Sequence, residues 1–490
     1  MFNLSGILIA DQFEKAESYD DWLAIAEAED QRTGKFAWRD IDKSALYNYE
    51  SIRHRLLKLR KLRRTGNAKE LLFTLNEGIH GNMDGIGNPT LYRRALSGTK
   101  TLVDNYVEEI ITSLRYVAKS RSAGVSKAEK EDFFDRAAHC YGSTALMLSG
   151  AGALGYFHLG VVMSLCEQDL LPRVISGSSA GSFVAGIVGT RSERELKKFL
   201  VRENFDRYMQ DQDKLVKPGL LRRMTDDEVR TQIEASIPDM TFQEAFEKSG
   251  RHINITVSAT KRYQKSRLLN AITSPNVLVR SAVQASCAVP GVFSPVTLMA
   301  RDAQGKLKKY LPKETWVDGS VAADLPARRL SRLYGVNHYI ASQINPLVLW
   351  SLLEIRNKEG LIPSALDFGL RMQKEWLRYL RGYSGKLLKN SPTLGYMVDS
   401  LFSVASQDYA GDINIVPQFR FFDPRKLLSH ISQEDRNYLV DAGMRASWPQ
   451  VAKIRNASSI ALALHDIRKT YGKRSAGASR QKNAARRELL

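Results

Sequence analysis

Apolar residues three and four positions apart mark the first part of the chain. Trp22, Ile25 and Ala26, and later Leu102, Tyr106, Ile110 and Leu114, fall on single helix faces. They predict a helical region over residues 1–125, punctuated at Asn88-Pro89. Lys119 to Glu131 is polar and contains Gly124, which predicts a linker. The pattern then changes. Short apolar runs around Leu146, Val174, Ile253 to Val257, Trp316 and Tyr339 to Ala341 alternate with helical stretches. That alternation predicts an α/β unit over residues 140–346, its sheet mainly parallel and covered by helices on both faces. A ligand would sit beyond the strand ends. Residues 347–467 read as a helical extension interrupted by one strand-like piece, Asp412 to Pro417. Residues 468–490, rich in Gly, Ser, Ala and basic residues, read as a disordered tail.

Three short motifs punctuate the α/β stretch. Val174-Ile175-Ser176 runs into Gly177-Ser178-Ser179-Ala180-Gly181 and then a small-residue helix. A strand turning sharply into a helix exposes the central serine at the tip, with Gly177 and Gly181 permitting the turn. Upstream, Thr144 to Ser149 reads as a buried strand that enters Gly150-Ala151-Gly152-Ala153-Leu154-Gly155 and a helix. Such a loop presents backbone N–H groups to an anion. The same glycines fit a dinucleotide loop, which wants an acidic residue at the end of the next strand. Glu167 and Asp169 precede that strand, so an oxyanion loop is the better reading. Downstream, Trp316-Val317-Asp318-Gly319 places a carboxylate at a strand end. By itself that is an ordinary Asp-Gly turn; in this order after the other two it acquires a role.

The three motifs together resemble the patatin-like phospholipases and lipases. The resemblance implies an α/β/α sandwich with flanking helical regions, and a patatin-like catalytic domain over 140–346. It also implies acyl-ester hydrolysis by a Ser-Asp dyad without histidine: Ser179 as nucleophile, Asp318 as its partner, and Gly150, Ala151 and Gly152 as oxyanion donors. Ala285-Ser286-Cys287-Ala288-Val289-Pro290-Gly291-Val292-Phe293 is similar to a further family segment. Glu77 to Pro89, Ser97-Gly98-Thr99-Lys100, Asp324-Leu325-Pro326 and Val336 to Pro346 resemble the lipid-droplet triacylglycerol lipase subgroup. No cofactor or metal is implied. The substrate implied is a long-chain acylglycerol, with phospholipid hydrolysis or acyl transfer to a lysophospholipid as alternatives. A decayed scaffold on a membrane surface is the reading outside catalysis.

Two positions depart from the family pattern. Ala151 replaces the middle glycine of the loop; at positive φ an alanine there would cost about 1 kcal/mol or more. Leu154 stands where many relatives carry a basic residue. His158, on the opening turn of the helix after the loop, is the rival general base. Its place in the chain suits helix packing better than the order of a Ser-Asp-His triad.

Composition adds a surface. The chain has 490 residues and a net charge of +19. Arg53 to Arg64 interleaves basic residues with leucines. Arg371 to Lys389 interleaves them with Trp376, Tyr379 and Tyr383. Both stretches suit helices lying on anionic lipid. No nucleic-acid-binding module is visible. Cys140, Cys166 and Cys287 have no metal spacing and read as reduced, buried residues. No run is long enough to span a bilayer, and Met1 to Ala10 has no basic start or cleavage site. The expectation is a cytoplasmic protein associated peripherally with a membrane or lipid-droplet surface.

Overall fold

The computed structural model describes residues 4–79, 81–120, 124–216, 224–261, 266–320, 324–344, 411–417 and 429–487. The chain forms two compact units. One comprises residues 1–144, 335–338 and 448–490; the other comprises 145–334 and 339–447.

The first unit is helical. Its core gathers Ile52, Leu56 and Leu59 of the helix Tyr49–Arg64, Val103, Tyr106, Ile110 and Leu114 of Thr101–Lys119, and Phe133 and Phe134 of Lys127–Tyr141. Ile460, Leu464 and Ile467 of the last helix, Val451–Arg487, complete it. The linker expected at Lys119 to Glu131 is shorter than its polarity suggested. Ser126 and Glu129 form a reciprocal capping box that starts a helix at Lys127. The final helix likewise runs through most of the stretch whose composition reads as a disordered tail.

The leucine-basic stretch Arg53 to Arg64 is mainly a core helix. Ile52, Leu56 and Leu59 point inward, and turning each to solvent would cost about 1.5–3 kcal/mol. Arg63 makes two bonds to buried Glu109, at 2.7 and 3.0 Å, and Arg53 pairs with Asp42. Leu57 alone of its leucines is exposed. The lipid-facing reading therefore fails for most of this helix. The other basic stretch, Arg371 to Lys389, lies outside the described residues. Cys140 also departs from expectation: it is exposed, because its helix turns Phe133, Phe134 and Ala137 inward instead. Cys166 is buried and Cys287 half-buried.

The second unit is built on a mostly parallel sheet flanked by helices. The strands are β1 (Ser143–Leu148), β2 (Val174–Gly177), β3 (His252–Ala259), β4 (Arg267–Leu269), β5 (Met299–Arg301), β6 (Leu307–Lys309), β7 (Trp316–Asp318), β8 (Val336–Ser342) and β9 (Ile413–Ile415). The order is β4-β3-β2-β1-β8-β9, and β7 also pairs with β3. β1–β2, β2–β3 and β8–β9 are parallel; β4 and β7 run antiparallel to β3. β5 and β6 form a separate hairpin. The strand-like piece expected inside a helical extension is β9, which joins the sheet beside β8. β1 and β2 are almost wholly buried, which explains their continuous apolar sequence.

Candidate active site

The turns after β1, β2 and β7 bring the three motifs together. After β2, Ser179 adopts φ 50°, ψ −124°, a left-handed conformation that costs a non-glycine residue about 1–3 kcal/mol. Two glycines make the turn sterically possible. A Cβ on Gly177 would lie 2.2 Å from the Gly181 carbonyl oxygen, and one on Gly181 would lie 2.2 Å from that of Leu148. Backbone therefore packs on backbone, and only hydrogen fits. Ser179 then caps the helix Ala180–Gly189, whose N-terminal dipole end favours developing negative charge.

The segment from Ala285 to Phe293 holds this turn in place. The Ser286 hydroxyl accepts the Ser179 N–H at 2.9 Å and donates to the Thr256 carbonyl at 2.8 Å. The Ser182 hydroxyl donates to the Ser179 carbonyl at 2.6 Å. Ala288 offers its carbonyl to the Asp318 N–H at 2.9 Å. One segment thus braces both the serine and the aspartate.

Asp318 ends β7, paired across from Val257 of β3. It is 2% exposed. Burial pushes its carboxyl up to about 6, partly offset by hydrogen bonds from the Ser320 N–H and from the Ser179 and Ser320 hydroxyls. The Ser320 N–H bond is 2.8 Å long. A carboxylate beside the Ser179 hydroxyl and left mostly ionised at neutral pH can take its proton.

The loop after β1 supplies donors. Ala151 has φ 179°, extended backbone open to any residue, and the left-handed position falls on Gly152 at φ 53°. The substitution of alanine for glycine is therefore unstrained. The Ala151 and Gly152 N–H groups donate to no acceptor among the described residues. Gly150 differs from the sequence reading, which counted it as a third donor. Its N–H is already engaged at 2.8 Å by the carboxylate of Asp324. The same Asp324 oxygen accepts the hydroxyl of Ser178, the residue before the serine. Asp324 is wholly buried and ties the two turns together. Its presence in the family-like run Asp324-Leu325-Pro326 was the available sequence signal.

His158 takes no part in this arrangement. It is buried, with Nδ1 2.7 Å from the Ser342 hydroxyl and Nε2 2.8 Å from the Ser149 carbonyl. Desolvation lowers it to about 4, so it stays neutral as a packed helix residue. The Cys287 thiol is pushed to about 12 by burial and the nearby Asp318, which removes it as a nucleophile. Among the described residues no group of three or more His, Cys, Asp or Glu is placed to hold a metal ion.

Ser179 opens into a cleft with about 150 Å³ of space for the centres of water-sized molecules. Leu159, Phe183, Val184, Ile233, Val289 and Phe293 line it. By volume it takes on the order of ten waters, or the equivalent stretch of hydrocarbon. Its walls are overwhelmingly apolar, which favours hydrocarbon.

Comparisons with known proteins identify the family. Residues 146–330 match the model for patatin-like phospholipases, and residues 8–139 match a domain of unknown function, DUF3336. Triacylglycerol lipase ptl3 of Schizosaccharomyces pombe is 33% identical over 474 residues, covering 92% of this chain and 95% of its own. Triacylglycerol lipase SDP1L of Arabidopsis thaliana is 32% identical over 469 residues; the chain spans 57% of that relative's length. Among solved structures, VipD from Legionella pneumophila overlaps 64% of this chain and 67% of its own at 15% identity and a TM-score of 0.32. The chain belongs to the patatin-like phospholipase family, a class of lipid ester hydrolases.

Proposed function

We propose that the chain hydrolyses acyl esters of long-chain glycerolipids, triacylglycerol foremost, through Ser179 and Asp318. The observation that carries this reading is the meeting of Ser179, at the tip of its strained turn, with the buried carboxyl of Asp318, which has no cation beside it among the described residues, next to an apolar cleft. Asp318 takes the hydroxyl proton as Ser179 attacks the acyl carbonyl. The Ala151 and Gly152 N–H groups hold the tetrahedral oxyanion, with Gly150 fixed by Asp324 to aim them. The proton passes to the departing glycerol oxygen. Water, activated by the same carboxylate, then cleaves the acyl-serine. The apolar walls favour acyl chains without calling for a charged headgroup, and two relatives carry the triacylglycerol lipase name. The net charge of +19 supports work at an anionic membrane or lipid-droplet surface. Among the described residues no helix is long and apolar enough to cross a membrane.

The test is a panel of triacylglycerol, diacylglycerol, phospholipid and lysophospholipid, each with and without an acyl acceptor, using wild type and Ser179→Ala. Fatty acid release from triacylglycerol above all others, abolished in the variant, is expected. Release from phospholipid alone would replace the substrate. Acyl transfer without release would replace the reaction, and no turnover on any lipid would leave the scaffold reading.

A further inference from the structure

The helical unit holds a second cavity, unconnected with the chemistry above. It offers about 700 Å³ to the centres of water-sized molecules. It lies where the helix Thr101–Lys119 ends, the helix Lys127–Tyr141 begins and the last helix passes. Its charge is one-sided. Arg115, Lys119, Lys127 and Lys130 line it, against a single carboxylate, Asp466.

Lys130 is the informative member. It is 5% exposed, and among the described residues its ammonium meets one acceptor, the carbonyl of Ser120, and no carboxylate. An ammonium carries three donors, so two remain for whatever fills the cavity. A buried cation without a counter-ion is costly, and burial alone pulls Lys130 below the usual lysine range. Arg115 and Lys119, exposed at the rim, form no ion pair among the described residues. Lys127 pairs with Glu131 at 3.5 Å. Val125, Ala463, Ile467 and Tyr471 form an apolar part of the wall, beside Ser120 and Thr470.

We propose that this cavity binds a phosphate monoester carried on a glycerol or lipid body. A monoester brings close to two negative charges and three strong acceptor oxygens, which match a buried ammonium and two unpaired rim cations. The apolar part of the wall takes the body attached to it. Two sources share this chemistry, a phosphatidic acid headgroup in a bilayer and a soluble glycerol phosphate. The inference does not depend on the hydrolase reading, because every residue used lies in the helical unit.

The purified full chain should be tested by calorimetric titration with glycerol 3-phosphate. In parallel it should be floated with phosphatidylcholine vesicles doped with phosphatidic acid or, at matched surface charge, phosphatidylserine. Phosphatidic acid vesicles should retain more protein than phosphatidylserine vesicles, and Lys130→Met should weaken monoester binding by about tenfold or more. The control Lys61→Gln/Arg64→Gln removes two exposed charges from another helix and should leave the preference intact. Heat from glycerol 3-phosphate as well as vesicle retention identifies a site for the free ester; vesicle retention alone identifies the bilayer headgroup. If Lys130→Met loses its far-ultraviolet helical signal, the rim variant Arg115→Gln/Lys119→Gln decides the matter. Equal retention on both vesicle types, falling equally with site and control variants, would reduce the cavity to general positive charge and overturn the proposal. Absence of binding in every arm would overturn it as well.

Discussion

Glu109 in the helical unit and Asp318 in the sheet unit are buried to nearly the same degree, 5% and 2% exposed. Their surroundings differ in one respect. Glu109 receives two bonds from Arg63, lies 3.5 Å from Arg60 and accepts the Ser113 hydroxyl. Among the described residues Asp318 has only hydroxyl neighbours and a backbone N–H. A carboxylate neutralised by guanidinium serves to fix helix against helix. A carboxylate solvated only by neutral donors is held where gaining a proton is easy. Lys100 extends the contrast: in the helical unit it donates to the Trp38 and Ile41 carbonyls at 2.6 and 2.7 Å and lies 3.9 Å from the Trp38 ring. That ammonium secures the Ser97-Gly98-Thr99-Lys100 turn and faces no reacting group. Burial of charge is common to both units; the partner decides whether the result is rigidity or reactivity.

The sharpest way to break this contrast is Asp318→Asn. Turnover should fall by about 10⁴-fold, and adding Ser179→Ala should cost little more, because the two residues act as one unit. In wild type, kcat/KM should rise with pH through about 6 and then level off, as the carboxylate ionises. Stability should move the other way. The folded-state value of about 6 exceeds that of an unfolded aspartate, about 4, so the folded protein holds a proton that the unfolded chain has released. The group therefore destabilises the fold progressively as pH rises through that window. At pH 7.5 the asparagine variant should be the more stable by on the order of 3 kcal/mol, and at pH 4 the advantage should vanish. Identical melting at both pH values would show that Asp318 is not held where the structure places it.

A smaller effect separates positioning from packing. Glu109→Gln leaves Arg63 short of its counter-charge and should lower stability by about 2–3 kcal/mol, discounted because Arg63 is partly reached by water. Turnover per folded molecule should not change. Asp324→Asn keeps the volume but weakens the hold on Gly150 and Ser178. Here kcat should fall by about 10- to 100-fold with KM nearly constant. A drop in melting temperature with undiminished kcat would make Asp324 a packing residue like Glu109.

The smallest effect belongs to Ala151→Gly. Because φ at this position is 179°, glycine relieves no strain, and activity should stay within about twofold of wild type. A large gain would mean that the loop passes through a left-handed state at residue 151 during turnover.

What was legible in the sequence was local. Gly177-Ser178-Ser179-Ala180-Gly181 encodes its turn within five residues, and the strands around Leu146, Val174 and Trp316 announce themselves by apolar runs. What was not legible depends on partners distant in sequence. That the Gly150 N–H is taken follows only from Asp324, 174 residues away. Ile413 to Ile415 looks too short to matter until β8 supplies its ladder. Arg53 to Arg64 has a composition compatible with either lipid or protein on its apolar side, and only the positions of Tyr106 and Leu75 in the core decide between them. One local signal was present and unread: Ser126 and Glu129, three apart, begin a helix within a stretch that polarity alone marks as linker.

The arrangement of the helical core bears on the order in which the chain can assemble. Phe133 and Phe134 leave the ribosome more than 300 residues before Ile460, Leu464 and Ile467, which share their core. Throughout synthesis of the intervening sheet unit, the early helices have an apolar stripe without its final cover. The sheet unit has no such wait, since its strands and flanking helices emerge before residue 448. Completion of the N-terminal part therefore waits on the last helix, and the interval before that helix arrives is the period when holding chaperones have most to bind.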